Sequence, residues 1–309
     1  MTSPLEHTLT GLDHLEAVTT LLQRIRSTHP TSGLWEAADR QWSWRNSRST
    51  DDLPQLFWFD EHDQPVAAVI TTASAQGVAF DPIVLPDATS DWIAHVIERG
   101  LEHAAGSGFD AVDLEVDRAD DVTRELLFTH GFSVSEDGVT EAWVEASALP
   151  GVSELYGGYR LMTRAEAVQH GHRTHHMSSE QRGHSDPEAR LRQTSLYRAD
   201  LDLVVYDNAD DVAAYGLFWF DPVSMTALVE PMRTEDDHQQ RGLARHVLTT
   251  GLNLLAAAGA ERIKICYDPG HPASGHLYRS VGFEPDRLTD LLAGPTRPPA
   301  RPPARSVTT

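Results

Sequence analysis

Apolar residues fall at helical spacing twice in this chain, about half its length apart. Trp92, Ile93, Val96, Ile97, Gly100 and Leu101 form one stripe; Leu243, Ala244, Val247, Leu248, Gly251 and Leu252 form the other. Spacings of one, three and four residues place each set on a single helix face. Each stripe ends near a glycine, Gly108 or Gly259, suited to a left-handed helix cap. A β-rich run follows each time, FDAVDLEVD and AERIKICYD. A second helix then leads into Gly131-Phe132 or Gly282-Phe283.

Segments 101–132 and 252–283 align without a gap at an offset of 151. Leu101, Gly108, Asp117, Leu126, Gly131 and Phe132 recur as Leu252, Gly259, Asp268, Leu277, Gly282 and Phe283. An offset near half of 309 residues is that of a duplicated domain, not of a short-period solenoid. Each half reads strand, helix, strand, helix around a mixed sheet, an α/β (α+β) class with two tandem domains. The pentapeptide LFWFD occurs at 56–60 and 217–221, but its two settings in the repeat differ, so the identity is read as coincidence.

The turn formers of ALPGVSELYGG, 148–158, mark the junction, which predicts domains at 1–150 and 151–294. The ending PTRPPARPPARSVTT, 295–309, has too many prolines for a regular core element and reads as a disordered, polyproline-like tail.

The net charge of −21 argues against a nucleic-acid partner, which would require phosphates to be neutralised. An acidic surface serves solubility and also suits a cationic substrate such as an amine. Lys264 is the single lysine and is read as a compositional accident. The single cysteine, Cys266, excludes an internal disulfide, and its setting RIKICYD predicts a strand. With no apolar run of membrane-spanning length and no signal-peptide pattern at the start, a soluble, cytoplasmic chain without a membrane partner is expected.

The second stripe opens on a glycine turn, DDHQQRGLARHVL, that its counterpart lacks. A strand, SMTALVEPMR, precedes it. The first amides of a helix have no intrahelical acceptor, and the helix dipole adds partial positive charge, so a glycine turn at that point makes an anion site. Gly242 admits a close approach of backbone to a bulky anion, and Arg241 and Arg245 add charge.

Gln239, Gly242 and Ala244 form Q-x-x-G-x-A, which resembles the pyrophosphate-binding signature of the GNAT acyltransferase superfamily. Further on, HPASGHLYRSVGF resembles that family's later segment, in which an Asn-like position precedes a Leu-Tyr pair and a Gly-Phe. The resemblance covers 159–287 well and 10–145 in outline, and the tandem arrangement is similar to two-domain actinobacterial members. It implies two GNAT-like domains, each a mixed, mostly antiparallel sheet flanked by helices, and an N-acetyltransferase using acetyl-CoA and a small amine acceptor.

The resemblance also implies roles. The backbone of Met232, Arg233 and Thr234 pairs with the pantetheine arm and supplies the oxyanion donor, and the amides of Gln240, Arg241, Gly242, Leu243, Ala244 and Arg245 hold the pyrophosphate. Tyr278 hydrogen-bonds and protonates the departing sulfur. His271, with Ser274 nearby, stands at the family's asparagine position. Because an alkylamine is mostly protonated at neutral pH, a base is required, and Glu230 at the end of TALVE is the candidate. A non-catalytic CoA-binding or interaction module is the alternative reading.

At the same offset, Gln239, Gly242 and Ala244 become Ala88, Asp91 and Ile93, and Tyr278 becomes Leu127. The first domain is thus expected to keep the fold without the CoA chemistry and to form one wall of the acceptor pocket or stabilise the pair, in place of a second subunit, which makes a monomer possible. His170, His172, His175, His176 and His184 crowd one stretch; His172 and His176 have helical metal-pair spacing, but nothing completes a site and no metal is expected. Trp35, Trp42 and Trp44 are read as helix-on-sheet packing.

Overall fold

The computed structural model describes residues 4–74, 77–172, 175 and 187–297. In chain order its elements begin β1 (Leu5–Leu9), α1 (Gly11–Thr28), α2 (Ala37–Trp44), β2 (Gln55–Phe59), β3 (Pro65–Ala73) and β4 (Val78–Val84). Then come α3 (Ser90–Gly106), β5 (Ala111–Asp117), α4 (Asp121–Thr129), β6 (Ser133–Glu145), β7 (Arg160–Thr163), α5 (Arg164–Gln169) and α6 (Pro187–Leu191). The chain ends with β8 (Asp202–Tyr206), β9 (Val212–Asp221), β10 (Thr226–Thr234), α7 (Leu243–Ala258), β11 (Arg262–Tyr267), α8 (Pro272–Arg279) and β12 (Glu284–Pro295). Strand–helix–strand–helix occurs in both halves, as the apolar stripes predict. The expected tail runs into β12 at its first residue, and 298–309 lie outside the described residues.

Two compact units result, interleaved along the chain. The first comprises Met1–Thr10, Arg48–Gly138 and Thr289–Thr309; the second comprises Gly11–Ser47 and Val139–Leu288. A sequence boundary at 150 follows the repeat, whereas these units take α1 and α2 from the first half and give the end of β12 to the other unit.

In the first unit the strand order is β1-β2-β3-β4-β5-β12. Its pairs are antiparallel except β4–β5, which is parallel. In the second the order is β7-β8-β9-β10-β11-β6, again antiparallel except for β10–β11. LFWFD lies on the second strand of the first order and the third of the second, so its two copies are not equivalent.

Each unit packs one long helix on its sheet. Val247, Leu248, Leu252 and Leu255 of α7 meet Phe218, Phe220, Val229, Ile263 and Ile265, all buried. Each such side chain contributes about 1.5–3 kcal/mol by leaving water. The repeated glycine in the stripe lets helix and sheet approach closely: a Cβ on Gly251 would lie 2.1 Å from the Phe218 ring, and one on Gly100 2.8 Å from Phe80. Gly251→Ala is expected to lower the unfolding free energy by about 1–3 kcal/mol through overpacking. Chemical denaturation measures it, and an unchanged midpoint would show that Phe218 can move away.

Of Trp35, Trp42 and Trp44, only Trp42 packs a helix on a sheet; Trp35 precedes α2 under the Arg40 guanidinium, and Trp44 meets His14 and Arg190. Trp42 on α2 is 5 % exposed and meets Trp219 of β9 edge-on at 6.5 Å. Among the described residues, no helix is long and apolar enough to cross a membrane.

Candidate functional site

β10 carries the centre of the site because its two edges have different partners. On one side it pairs with β11 only from Thr226↔Arg262 to Val229↔Ile265. On the other it stays with β9 through Met232↔Gly216, Arg233↔Tyr215 and Thr234↔Ala214, after a bulge between Val229 and Met232. The Glu230–Pro231 peptide at the bulge is cis. Beyond Val229 the β11-facing edge of Met232, Arg233 and Thr234 therefore has no registered strand beside it. Such an edge accepts an extended ligand as an added strand.

The chain then turns through Asp236–His238 and reaches α7 by two left-handed residues, Gln240 at φ +60° and Gly242 at φ +74°. Gly242 is the N-cap and has no side-chain capping bond. The first intrahelical bond closes from the His246 amide to the Gly242 carbonyl at 3.0 Å. The amides of Leu243, Ala244 and Arg245 thus face the helix start without an intrahelical acceptor, at the positive end of a 16-residue dipole. Space around a Gly242 Cβ is open, so its backbone angle, not crowding within the chain, is what calls for glycine.

Arg241 donates to the Tyr159 hydroxyl, and Arg245 donates to Ser280 Oγ at 2.6 Å. Asp236 and Asp237, which crowd this turn in sequence, are exposed; Asp236 accepts from Gln239 Nε2 at 3.1 Å. Glu235 pairs with Arg233 at 3.4 Å.

The corresponding helix of the first unit is closed. Thr89 caps α3 by accepting from the Trp92 amide at 3.3 Å, Asp91 occupies the first turn, and Leu127 is fully buried.

Tyr278 on α8 is 8 % exposed, and burial pushes its phenol up to about 12. Its ring lies 5.4 Å from that of Tyr267, at the end of β11. The Tyr267 hydroxyl is buried and has no hydrogen-bond partner among the described residues. In the sequence, the only signal of Tyr267 is an aromatic ring ending a strand. A cavity of about 180 Å³ beside it is lined by Thr140, His271, Gly275, His276 and Arg279. His271 itself is exposed and N-caps α8, its Nδ1 2.7 Å from Asp268 Oδ2, while Ser274 is half-buried one turn on.

On the opposite side of β10 and β11, α2 lays a buried charge network. Lys264 is fully buried, 2.8 Å from Glu141 and 3.5 Å from Glu36, and donates to the Leu34 carbonyl. Burial opposes its charge, but Cys266, Glu141, Glu36 and Asp39 together hold its pKa above the ordinary value. The reading of Lys264 as a compositional accident is corrected: it anchors α2. Glu36 is also paired with Arg26, and burial is outweighed there by the two cations, so its carboxyl stays below the usual range.

Glu230 stands at the edge of this network, half-buried, and the Trp219 indole donates to its carbonyl at 2.8 Å. Burial, then the charge of nearby Asp39, push its carboxyl up to about 8. The partner, Asp39, was not singled out in the sequence.

The histidine stretch resolves differently from a helical pair. α5 ends at Gln169, so His172 is not helical; it stacks on Tyr206 at 4.5 Å. His176 and His184 lie outside the described residues. His175 is buried with Nε2 2.8 Å from Asp202, which also accepts from the Tyr197 hydroxyl at 2.8 Å. A carboxylate does therefore meet one of these imidazoles. Among the described residues no group of three His, Cys, Asp or Glu side chains is placed to hold a metal.

Parted strands thus lead to an uncapped glycine turn at the start of α7, and a buried tyrosine lies on α8, beyond β11. Residues 170–283, within the second unit, match the acetyltransferase (GNAT) family model. The whole chain has the tandem GNAT fold. A tandem GNAT protein from the clavulanic acid biosynthesis pathway superposes with a TM-score of 0.67 at 15% identity, over 96% of this chain and 99% of that one. A GCN5-related N-acetyltransferase from Sphaerobacter thermophilus gives 0.60 at 14%, over 96% of each chain. No curated protein matches the sequence.

Proposed function

We propose that the second unit transfers an acyl group, acetyl foremost, from acyl-CoA to the amine of a small molecule in a ternary complex. The opening between β10 and β11, which leads to the uncapped start of α7, carries this reading. The pantetheine arm runs along Met232, Arg233 and Thr234, and the pyrophosphate meets Gln239 and the amides from Gln240 to Arg245. Glu230 takes the ammonium proton of the acceptor, whose nitrogen then attacks the thioester carbonyl. A backbone amide at Met232–Thr234 stabilises the oxyanion. Held protonated across the neutral range by burial, Tyr278 donates to the sulfur as the C–S bond breaks. His271 and Ser274 border the cofactor, and the first unit holds no CoA.

Release of free CoA from acetyl-CoA, followed across a panel of amines, tests the proposal. Tyr278→Phe is expected to lower kcat on the order of a hundredfold with acetyl-CoA affinity retained, the usual scale for losing one proton donor. If CoA binds and no amine releases it, the domain is a binding module instead.

A further inference from the structure

In the β6–β11 ladder Thr140 stands directly opposite Tyr267. Alternation along the two strands puts Thr140 on the face of Ala142 and Val144, and Tyr267 on the face of Ile263 and Ile265, the side of the sheet that carries Tyr278. Pro272, Gly275, His276 and Arg279 of α8 fall at i, i+3, i+4 and i+7, one face of that helix. These residues line the cavity of about 180 Å³. With each water taking about 30 Å³ in the liquid, the space admits a molecule of a few heavy atoms.

The polar groups that meet there are unspent. Tyr267 is 8 % exposed, and its buried hydroxyl has no hydrogen-bond partner among the described residues. Thr140 is buried too, and its hydroxyl makes no hydrogen bond to the described residues. The Arg279 guanidinium has no ion pair among the described residues, in a chain with 46 acidic and 25 basic side chains. Asp268, the carboxylate next to Tyr267 in sequence, is engaged elsewhere: it accepts from the Gly270 amide at 2.6 Å and lies 2.7 Å from His271 Nδ1. An unsatisfied buried hydroxyl is costly, so a site that holds one beside an unpaired cation is built for a ligand that accepts from both.

We propose that this cavity binds a small monocarboxylate, with the Tyr267 and Thr140 hydroxyls donating to its oxygens and Arg279 pairing with its charge. The planar guanidinium matches a carboxylate through two parallel bonds. One arginine balances one negative charge, which favours a carboxylate over a phosphate dianion. Gly275 keeps the space open: a Cβ there would lie 3.1 Å from Tyr267 Cε2 and 3.7 Å from its hydroxyl. His276 lies on the rim with Nδ1 2.7 Å from the Pro272 carbonyl, which fixes its ring. The site stands apart from the acyl transfer proposed above, since of its lining only His271 borders the cofactor in that reading.

Propionate titrated into the full chain, followed by ¹H–¹⁵N NMR, tests the site. Saturable shifts are expected at the Gly275, His276 and Arg279 amides. Arg279→Ala should weaken binding at least roughly tenfold, the scale of a lost charge-assisted hydrogen bond, and Tyr267→Phe by severalfold. Without ligand, Tyr267→Phe should keep or raise the unfolding midpoint, because its hydroxyl gives up no internal bond, so a folded variant is available for the comparison. Inorganic phosphate should bind at these amides more weakly than propionate; the reverse order overturns the assignment to a monocarboxylate. Shifts that do not saturate, or that persist in both Arg279→Ala and Tyr267→Phe, overturn the site. Shifts confined to Leu243 and Ala244 place the anion at the start of α7 and overturn it as well.

Discussion

Replacing Lys264 by methionine lowers the unfolding free energy by about 3–5 kcal/mol, the cost of stranding buried charge. The side chain is fully buried and lies between Glu141 and Glu36, with its ammonium 5.8 Å from the Trp143 ring centroid. Glu36 would keep Arg26, and Glu141 would keep Arg287 at 3.7 Å and the Trp143 indole at 2.8 Å. Neither replaces a cation seated between both carboxylates. Lys264→Met combined with Glu141→Leu should recover part of the loss, because removing both partners leaves no orphan charge.

Acid should narrow the difference between wild type and Lys264→Met. The Glu36 carboxyl is held below its ordinary value, so its stabilisation is present above the unfolded-state pKa and is lost as pH falls through the folded one. Urea titrations at neutral pH and near pH 4 measure both effects. A neutral-pH loss under about 1 kcal/mol would show that water reaches the site and shields the carboxylates.

Gly242→Asp should weaken acetyl-CoA binding by about three orders of magnitude, since a like charge facing a bound anion costs several kcal/mol. The fold should survive: nothing lies within 4 Å of the new Cβ, and aspartate tolerates the left-handed region better than most residues. Calorimetric titration of the wild type should find one acetyl-CoA per chain. Two equivalent sites, or an affinity untouched by Gly242→Asp, would mean that the pyrophosphate sits elsewhere or that the first unit binds CoA too. The capped start of α3 and Asp91 argue for one site.

Local features of the fold were legible because they rest on local rules. The helical stripes, Gly108 and Gly259 after them, and the glycine turn at 242 each follow from spacing and backbone angle; φ is +91°, +108° and +74° at these glycines. Gly100 and Gly251 were visible as a match, though their reason, contact with Phe80 and Phe218, is tertiary. What spacing could not convey is which sheet a helix covers. α1 and α2 are amphipathic on either sheet, so Asp39 gave no hint of Glu230. Lys264 alternates with Ile263 and Ile265, a pattern that normally marks a solvent face; here α2 covers that face. His175 finds Asp202 only through the strand that begins 27 residues later.

The interleaving of the two units also constrains the order of events at the ribosome. Glu36 is made 228 residues before Lys264, its buried cation. At ordinary synthesis rates that gap is roughly 10–45 seconds. During it, Leu15, Val18, Leu21, Leu22 and Ile25 of α1, all buried in the finished protein, have no completed sheet to cover. The first unit waits longer still, because the part of β12 that pairs with β5 starts at Thr289. Neither unit can close while its chain is half made, so the apolar face of α1 stays open until the later strands emerge.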